Sequence, residues 1–238
     1  MVGRMVDRGR QKMLGFASTM ACAVTLLGSI AGADDSTSAQ TRNWSANFVS
    51  RIEALALLET LNSELLSNDS ATLTLEHWCD VHHLASPPRI EAVRVPDVDK
   101  PVSPEQRQAL HVTSTEPVRY RRVRLKCGSV ALSEADNWYV PSRLTPEMNK
   151  LLDTTDTPFG RAVQTLHFQR RTLSSKLLWH PLPEGWEMNA ASTAADVSMP
   201  ATLFEHRAVL TLPDGTPFSE VVESYTANVL GFPIPHPQ

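Results

Sequence analysis

Four arginines fall within six consecutive positions of one strand-like segment, and guanidinium groups suit the binding of carboxylates. The segment is 118–127, and its arginines are Arg119, Arg121, Arg122 and Arg124. A buried unpaired charge is costly, so a strand that only closed a core would not carry them. Two interpretations follow. Either the strand is exposed and its arginines are solvated, or at least one arginine reaches into a pocket for an anionic ligand.

Period-two alternation divides this strand between two faces, and each face mixes apolar and guanidinium side chains. The first face carries Val118, Tyr120, Arg122 and Arg124, and the second carries Arg119, Arg121, Val123 and Leu125. The alternation therefore does not select one arginine.

A second anion-binding feature follows in the sequence at 157–161, Thr-Pro-Phe-Gly-Arg. A proline–glycine turn that opens a helix leaves backbone N–H groups free at the helix start, where a carboxylate can bind. Another helix start precedes it, with Thr145 as N-cap and Pro146 at the first helical position. Arginine and helix start together would form an anion site.

Length and composition fit one soluble domain with extra segments. The chain has 238 residues, of which 42% are hydrophobic and 20% are charged, with a formal charge of −4. This balance gives no indication of nucleic-acid binding. The sequence contains neither a phosphate-binding Walker loop nor a GxGxxG dinucleotide motif, so we expect no cofactor.

The first 33 residues have the pattern of a secretory signal peptide. A basic start is followed by the apolar stretch Met13–Ile30 and by the cleavage motif Ala31-Gly32-Ala33. We expect an exported, periplasmic protein whose mature chain begins at Asp34, with a polar tail over 34–50 and a single domain over 51–238. The alternative is that the apolar stretch stays as one membrane anchor.

Removal of the signal with Cys22 leaves two cysteines, Cys79 and Cys127. In an oxidising compartment this pair is a candidate disulfide, and the alternative is two buried thiols. A metal site that includes His77, Cys79 and His82 is a weaker hypothesis, because the spacing matches no compact zinc pattern. We therefore expect no metal.

The rest of the sequence predicts more strands than helices. We predict helices over 52–66 and 71–83 and a short helix after Thr145, strands over 88–95, 118–127, 130–140, 167–179, 202–212 and 217–225, and loops over 96–106 and 181–200. A turn at Gly128-Ser129 and another at Asp214-Gly215 join neighbouring strands into hairpins. The fold class is therefore α+β, an antiparallel sheet with helices packed on it.

Four segments in this order resemble the chorismate lyases, which release pyruvate from chorismate to give 4-hydroxybenzoate for bacterial ubiquinone synthesis. They are Leu65–Thr72, Arg122–Cys127, Thr157–Arg161 and Pro217–Tyr225. The similarity covers 52–232, with an insertion at 181–200. It implies a chorismate lyase-like fold and a small aromatic or cyclohexadiene carboxylate as ligand.

The resemblance also implies roles for single residues. Arg122 would pair with the ring carboxylate, and the turn at Phe159 and Gly160 would donate backbone N–H groups to it. Ala71, where the family usually has methionine, would touch the ligand through its backbone. Glu223 would lie near the hydroxyl as a hydrogen-bonding and acid–base group. Arg122 and Glu223 are thus the expected catalytic pair.

This sequence departs from the family in three respects, one of which is the loop near Trp186, within the insertion at 181–200, which has no counterpart in the family. The segment from Pro217 to Glu223 is one residue longer, which keeps Glu220 as an alternative acid, and the known lyases are cytoplasmic. Two functions follow: an exported lyase, or a non-catalytic binding protein or sensor for an aromatic carboxylate. A structural protein with a decayed pocket is a third, less favoured reading. In each case we expect a monomer without nucleic acid or a membrane anchor.

Overall fold

A computed structural model of the protein describes residues 47–189 and 198–233. The predicted signal peptide, 1–33, and most of the predicted tail lie outside the described residues. Helix α1 begins at Phe48, so the last three residues of the predicted tail belong to this helix. Asn47 caps the helix by accepting a hydrogen bond from the amide of Ser50.

Six antiparallel strands form one sheet in the order β1-β2-β3-β6-β5-β4. The strands are β1 Ile90–Arg94, β2 Arg119–Cys127, β3 Val130–Tyr139, β4 Gln169–Leu177, β5 Thr202–Thr211 and β6 Pro217–Thr226. Gly128 and Gly215 have positive φ angles of 58° and 86° and close the two predicted hairpins. The predicted α+β class with an antiparallel sheet is confirmed.

Five helices accompany the sheet in the described residues: α1 Phe48–Ser67, α2 Ala71–Val81, α3 Pro104–Ala109, α4 Pro146–Thr154 and α5 Phe159–Ala162. The loop prediction for 96–106 is wrong at its end, where α3 begins. Ser103 and Gln106 form a reciprocal capping box around Pro104, which is a helix signal in the sequence. α1 buries Leu58, Leu61 and Leu65.

Helices α1 and α2 cover one face of the sheet, which we call the inner face. Their leucines pack with alternate residues of β2, including Val123 and Leu125. On the opposite, outer face, Trp138 packs with Leu110, which ends α3. Because side chains alternate along a strand, adjacent residues of β2 serve different faces. The inner face therefore holds the main core.

Cys79 of α2 and Cys127 of β2 form a disulfide in the structure, with Cα atoms 6.4 Å apart. Both residues are fully buried. The bond ties the helix to the strand on the inner face. Among the described helices, none combines the length and the apolar character needed to cross a bilayer.

Candidate functional site

A cavity opens on the inner face between the sheet and the first turns of α2 and α5. Its empty space is about 510 Å³ when the part open to solvent is counted. Strands β2, β3, β4 and β6 contribute four of its polar side chains, namely Arg121, Asn137, Arg170 and Glu223. The cavity thus suits one small ligand with several polar groups.

Arg121 is the cation at one end of the cavity. It is 8% exposed, and its Nη2 donates to the carbonyl of Thr157 at 3.1 Å. Its Nε and Nη1 are buried without a hydrogen-bond partner among the described residues. Burial, with the nearby charge of Arg94 in second place, lowers the pKa of Arg121 to about 10, so it is still charged at neutral pH. A buried guanidinium with three unused N–H bonds is prepared to receive an anion.

Arg122 does not line the cavity, so the structure does not place it where the predicted carboxylate-binding arginine would have to lie. It lies on the outer face, where Nη2 donates to Glu134 at 2.6 Å and Nη1 is 3.5 Å from Asp136. Alternation along β2 is the reason, because Arg121 shares its face with the buried Val123 and Leu125 whereas Arg122 does not. The residue that faces the ligand space is Arg121.

Ala71, Phe159 and Gly160 line the cavity as the resemblance implied. The first amides of a helix have no carbonyl partner within it, so the start of α2 offers backbone donors here. α5 is a single turn of four residues and adds little dipole of its own. A Cβ at Gly160 would lie 3.2 Å from Ser70 Oγ, which shows how closely the two helix starts approach.

Glu223 also lies in the cavity, 5% exposed. Its Oε2 accepts from Arg170 Nη2 at 2.6 Å and from the Tyr225 hydroxyl at 3.1 Å. Its Oε1 takes no hydrogen bond from any residue in the described ranges. Burial, and then the charge of Glu223, raise the pKa of Tyr225 well above its usual value, so Tyr225 acts as a neutral donor. The alternative acid, Glu220, points to the outer face and pairs with Arg207 at 2.8 Å.

Arg170 connects three parts of the site. Besides the contact with Glu223, its backbone N–H donates to Asp69 Oδ1 at 2.8 Å, next to the start of α2. Burial lowers the pKa of Arg170, but Glu223 and Tyr225 outweigh this and the net shift is upward. Arg170 therefore stays charged, and its contacts link β4, β6 and the turn before α2.

His206 lies beside the ion pair, in register with Glu223 on the neighbouring strand. It is fully buried, its Nε2 contacts Asn62 Oδ1 at 2.8 Å, and its Nδ1 has no partner among the described residues. An amide oxygen accepts, so Nε2 carries the proton. Burial lowers the pKa of His206 to about 4, while Glu223 opposes and Arg170 reinforces this shift.

Two residues of the group near Cys79 make structural contacts. Cys79 belongs to the disulfide. His82 lies between Trp78 and Phe232, with ring centroids 3.9 and 4.0 Å away. Within 47–189 and 198–233, no group of three or more histidine, cysteine or acidic side chains is arranged to hold a metal ion.

Comparison with known proteins identifies a relative. The chain is 56% identical over 207 residues to the uncharacterized protein y4mC of Sinorhizobium fredii (strain NBRC 101917 / NGR234), and the match covers 85% of this chain and 86% of y4mC. The chain belongs to the y4mC family. It matches no established protein-family model.

This y4mC-family chain is also similar in fold to solved structures of low sequence identity. The effector domain of PhnF from Mycobacterium smegmatis is 13% identical, with a TM-score of 0.45 over 67% of this chain and 90% of that domain. A structure of PhnF from the same organism is 14% identical, with a TM-score of 0.42 over 63% of this chain and 64% of that chain. A GntR-family transcriptional regulator from Enterococcus faecalis V583 is 13% identical, with a TM-score of 0.38.

Six polar residues of the y4mC-family site were not predicted as ligand contacts: Asp69, Ser70, Thr72, Arg121, Asn137 and Arg170. For Arg121 the signal was incomplete, because its strand face carries the apolar Val123 and Leu125 but also the exposed Arg119. Arg170 lies next to Arg171 in a strand whose polar and apolar residues do not alternate clearly, and its partner Glu223 is 53 residues away in the sequence. No local feature of the sequence could have paired them.

Proposed function

We propose that the protein binds a small aromatic or cyclohexadiene carboxylate in this cavity, with Arg121 as the group that receives the carboxylate. The observation that carries the proposal is the buried guanidinium of Arg121, whose Nε and Nη1 have no partner among the described residues. Burying such donors unpaired costs free energy, and a carboxylate would remove that cost through a charge-assisted, two-point contact.

The polarity of the cavity supports a ligand with a carboxylate at one end and a hydroxyl at the other. Asn137 lies opposite Arg121 on β3, and Val221 lies opposite Asn137 on β6. Glu223 is two residues further along, so its Cα is roughly 12 Å from that of Arg121 by strand spacing. Its Oε1 is an acceptor for a hydroxyl. Since both side chains reach inward, the gap between them suits a single ring.

Elimination of pyruvate from chorismate is a second candidate, favoured by the buried carboxylate of Glu223. In this reaction Glu223 would take the ring proton at the hydroxyl-bearing carbon, and the C–H electrons would enter the ring. The C–O bond to the enolpyruvyl group would break, giving 4-hydroxybenzoate. The released enolate would gain a proton at carbon and become pyruvate. Much of the driving force is aromatisation, so the protein need only orient the substrate and move one proton.

The cellular compartment in which the protein acts is proposed from its first 33 residues. We propose that they direct export and are removed after Ala33, so that the mature chain meets its ligand in the periplasm. The pair Cys79–Cys127 supports this, because disulfides persist in oxidising compartments.

Calorimetric titration of the mature protein with 4-hydroxybenzoate, beside a pyruvate assay with chorismate, tests the two candidates together. Binding without pyruvate release favours the binding protein. Release of pyruvate that falls about a hundredfold in Glu223→Gln, with binding of 4-hydroxybenzoate changed much less, favours the lyase. Absence of both binding and release would overturn the proposal.

A further inference from the structure

Asn137 lines the cavity, yet neither the sequence motifs nor the ion pair of Arg170 and Glu223 give it a role. It is 5% exposed and lies on β3 between Arg121 of β2 and Val221 of β6. Arg121 is its direct cross-strand partner, and residues in such pairs have Cβ atoms about 5 Å apart. Asn137 can therefore touch the same ligand group as Arg121.

The amide of Asn137 is held in one orientation by Ser219. The Ser219 hydroxyl donates to Asn137 Oδ1 at 2.7 Å, and both residues are buried. With its oxygen engaged, the amide has its NH₂ group left for the cavity, and this group has no acceptor among the described residues. Two N–H bonds are thus available beside the unused N–H bonds of Arg121.

We infer that Asn137 is a specificity-determining residue, whose NH₂ group donates to the carboxylate held by Arg121 and selects carboxylates over carboxamides. This inference rests on the proposed function. A carboxylate only accepts hydrogen bonds, so it satisfies Arg121 and Asn137 together. A carboxamide of the same shape would place its own NH₂ group opposite one of these donors and leave buried N–H groups without an acceptor. A site built from such donors therefore binds the carboxamide much more weakly. Ser219 is a positioning residue for this contact.

The experiment compares 4-hydroxybenzoate with 4-hydroxybenzamide by calorimetric titration of the mature protein. Wild type should prefer the carboxylate. Asn137→Ala removes the two N–H donors without adding a charge, and it should lower the affinity for 4-hydroxybenzoate about tenfold. Asn137→Asp places an acceptor and a negative charge there. This variant should bind 4-hydroxybenzoate about a hundredfold more weakly, whereas its affinity for 4-hydroxybenzamide should be unchanged or higher. The preference for the carboxylate over the carboxamide should therefore become smaller or reverse.

Two further variants separate this contact from general disruption of the site. Ser219→Ala frees the amide and should cause a loss smaller than that of Asn137→Ala, with the carboxylate preference reduced. Arg122→Ala lies on the other face of the sheet and should bind like wild type. Thermal unfolding of each variant shows whether it is folded, and Asn137→Ala gives the decisive comparison if Asn137→Asp does not fold.

Unchanged 4-hydroxybenzoate affinity in both Asn137 variants would overturn the inference. If Arg121→Ala still loses binding, the proposed carboxylate site stands without Asn137. If wild type binds neither compound, the proposed function fails and this inference fails with it.

Discussion

Arg170 and Glu223 form a buried ion pair, with Nη2 and Oε2 2.6 Å apart and side chains only 4% and 7% exposed. Tyr225 donates to the same carboxylate oxygen. Taking two charges out of water is expensive, and their attraction and hydrogen bonds offset this only while both partners are present. The pair therefore depends on each member far more than a surface ion pair would.

Replacing Arg170 by methionine should lower the free energy of unfolding by about 3–5 kcal/mol, because an uncompensated carboxylate is left buried. The double variant Arg170→Met with Glu223→Gln should recover part of this loss. Chemical denaturation of the two single variants and the double variant measures the coupling. Strictly additive losses would show that the two residues do not support each other.

The disulfide should stabilise the protein by about 2–4 kcal/mol, since it restrains the unfolded chain across a separation of 48 residues. The double variant Cys79→Ala with Cys127→Ala should therefore unfold at lower denaturant concentration. Thiol titration of unfolded, unreduced mature protein should detect no free cysteine. Two titratable thiols would favour the reading in which both cysteines are reduced and buried.

Stability should fall as the pH is lowered from about 6.5 towards 4, through His206. Its pKa in the folded protein is about 4, below that of an unfolded histidine, so the unfolded chain binds more protons in this window. Across this window the free energy of unfolding should fall by a total on the order of 3 kcal/mol. His206→Gln should flatten this part of the profile. A steep profile in His206→Gln would assign the effect to other groups.

Export should produce a mature chain that begins at Asp34, because the basic start, apolar stretch and Ala-Gly-Ala motif specify cleavage after Ala33. N-terminal sequencing of protein recovered from the cell envelope checks this. Recovery of the uncleaved chain with Met1 in the cytosol would contradict it.

The sheet and most of its helices could be predicted because their signals are local. Alternation identified the strands, and Gly128 and Gly215 marked two hairpins. The capping box at Ser103 and Gln106 is an equally local signal for α3, but we predicted a loop over this segment.

The residues of the site were harder to predict from the sequence than the fold. Their positions depend on which face of the sheet each side chain lies on and on contacts with residues that are far away in the sequence. A shift of one residue in a strand moves every side chain to the other face. Motif similarity pointed to Arg122, whereas the apolar neighbours of Arg121 at alternate positions indicate the buried face. The contact between Arg170 and Glu223 arises only from the order of strands in the sheet.

The binding affinity of Arg121→Ala, measured beside Arg122→Ala, tests the carboxylate site most directly. The two residues are adjacent and chemically identical but lie on opposite faces of β2. Calorimetric titration with 4-hydroxybenzoate should show a loss of ten- to a hundredfold or more in Arg121→Ala, the value of a charge-assisted contact of about 1.5–3 kcal/mol. Arg122→Ala should bind like wild type. Equal affinity in the Arg121 variant and wild type, or a loss confined to the Arg122 variant, would contradict the account.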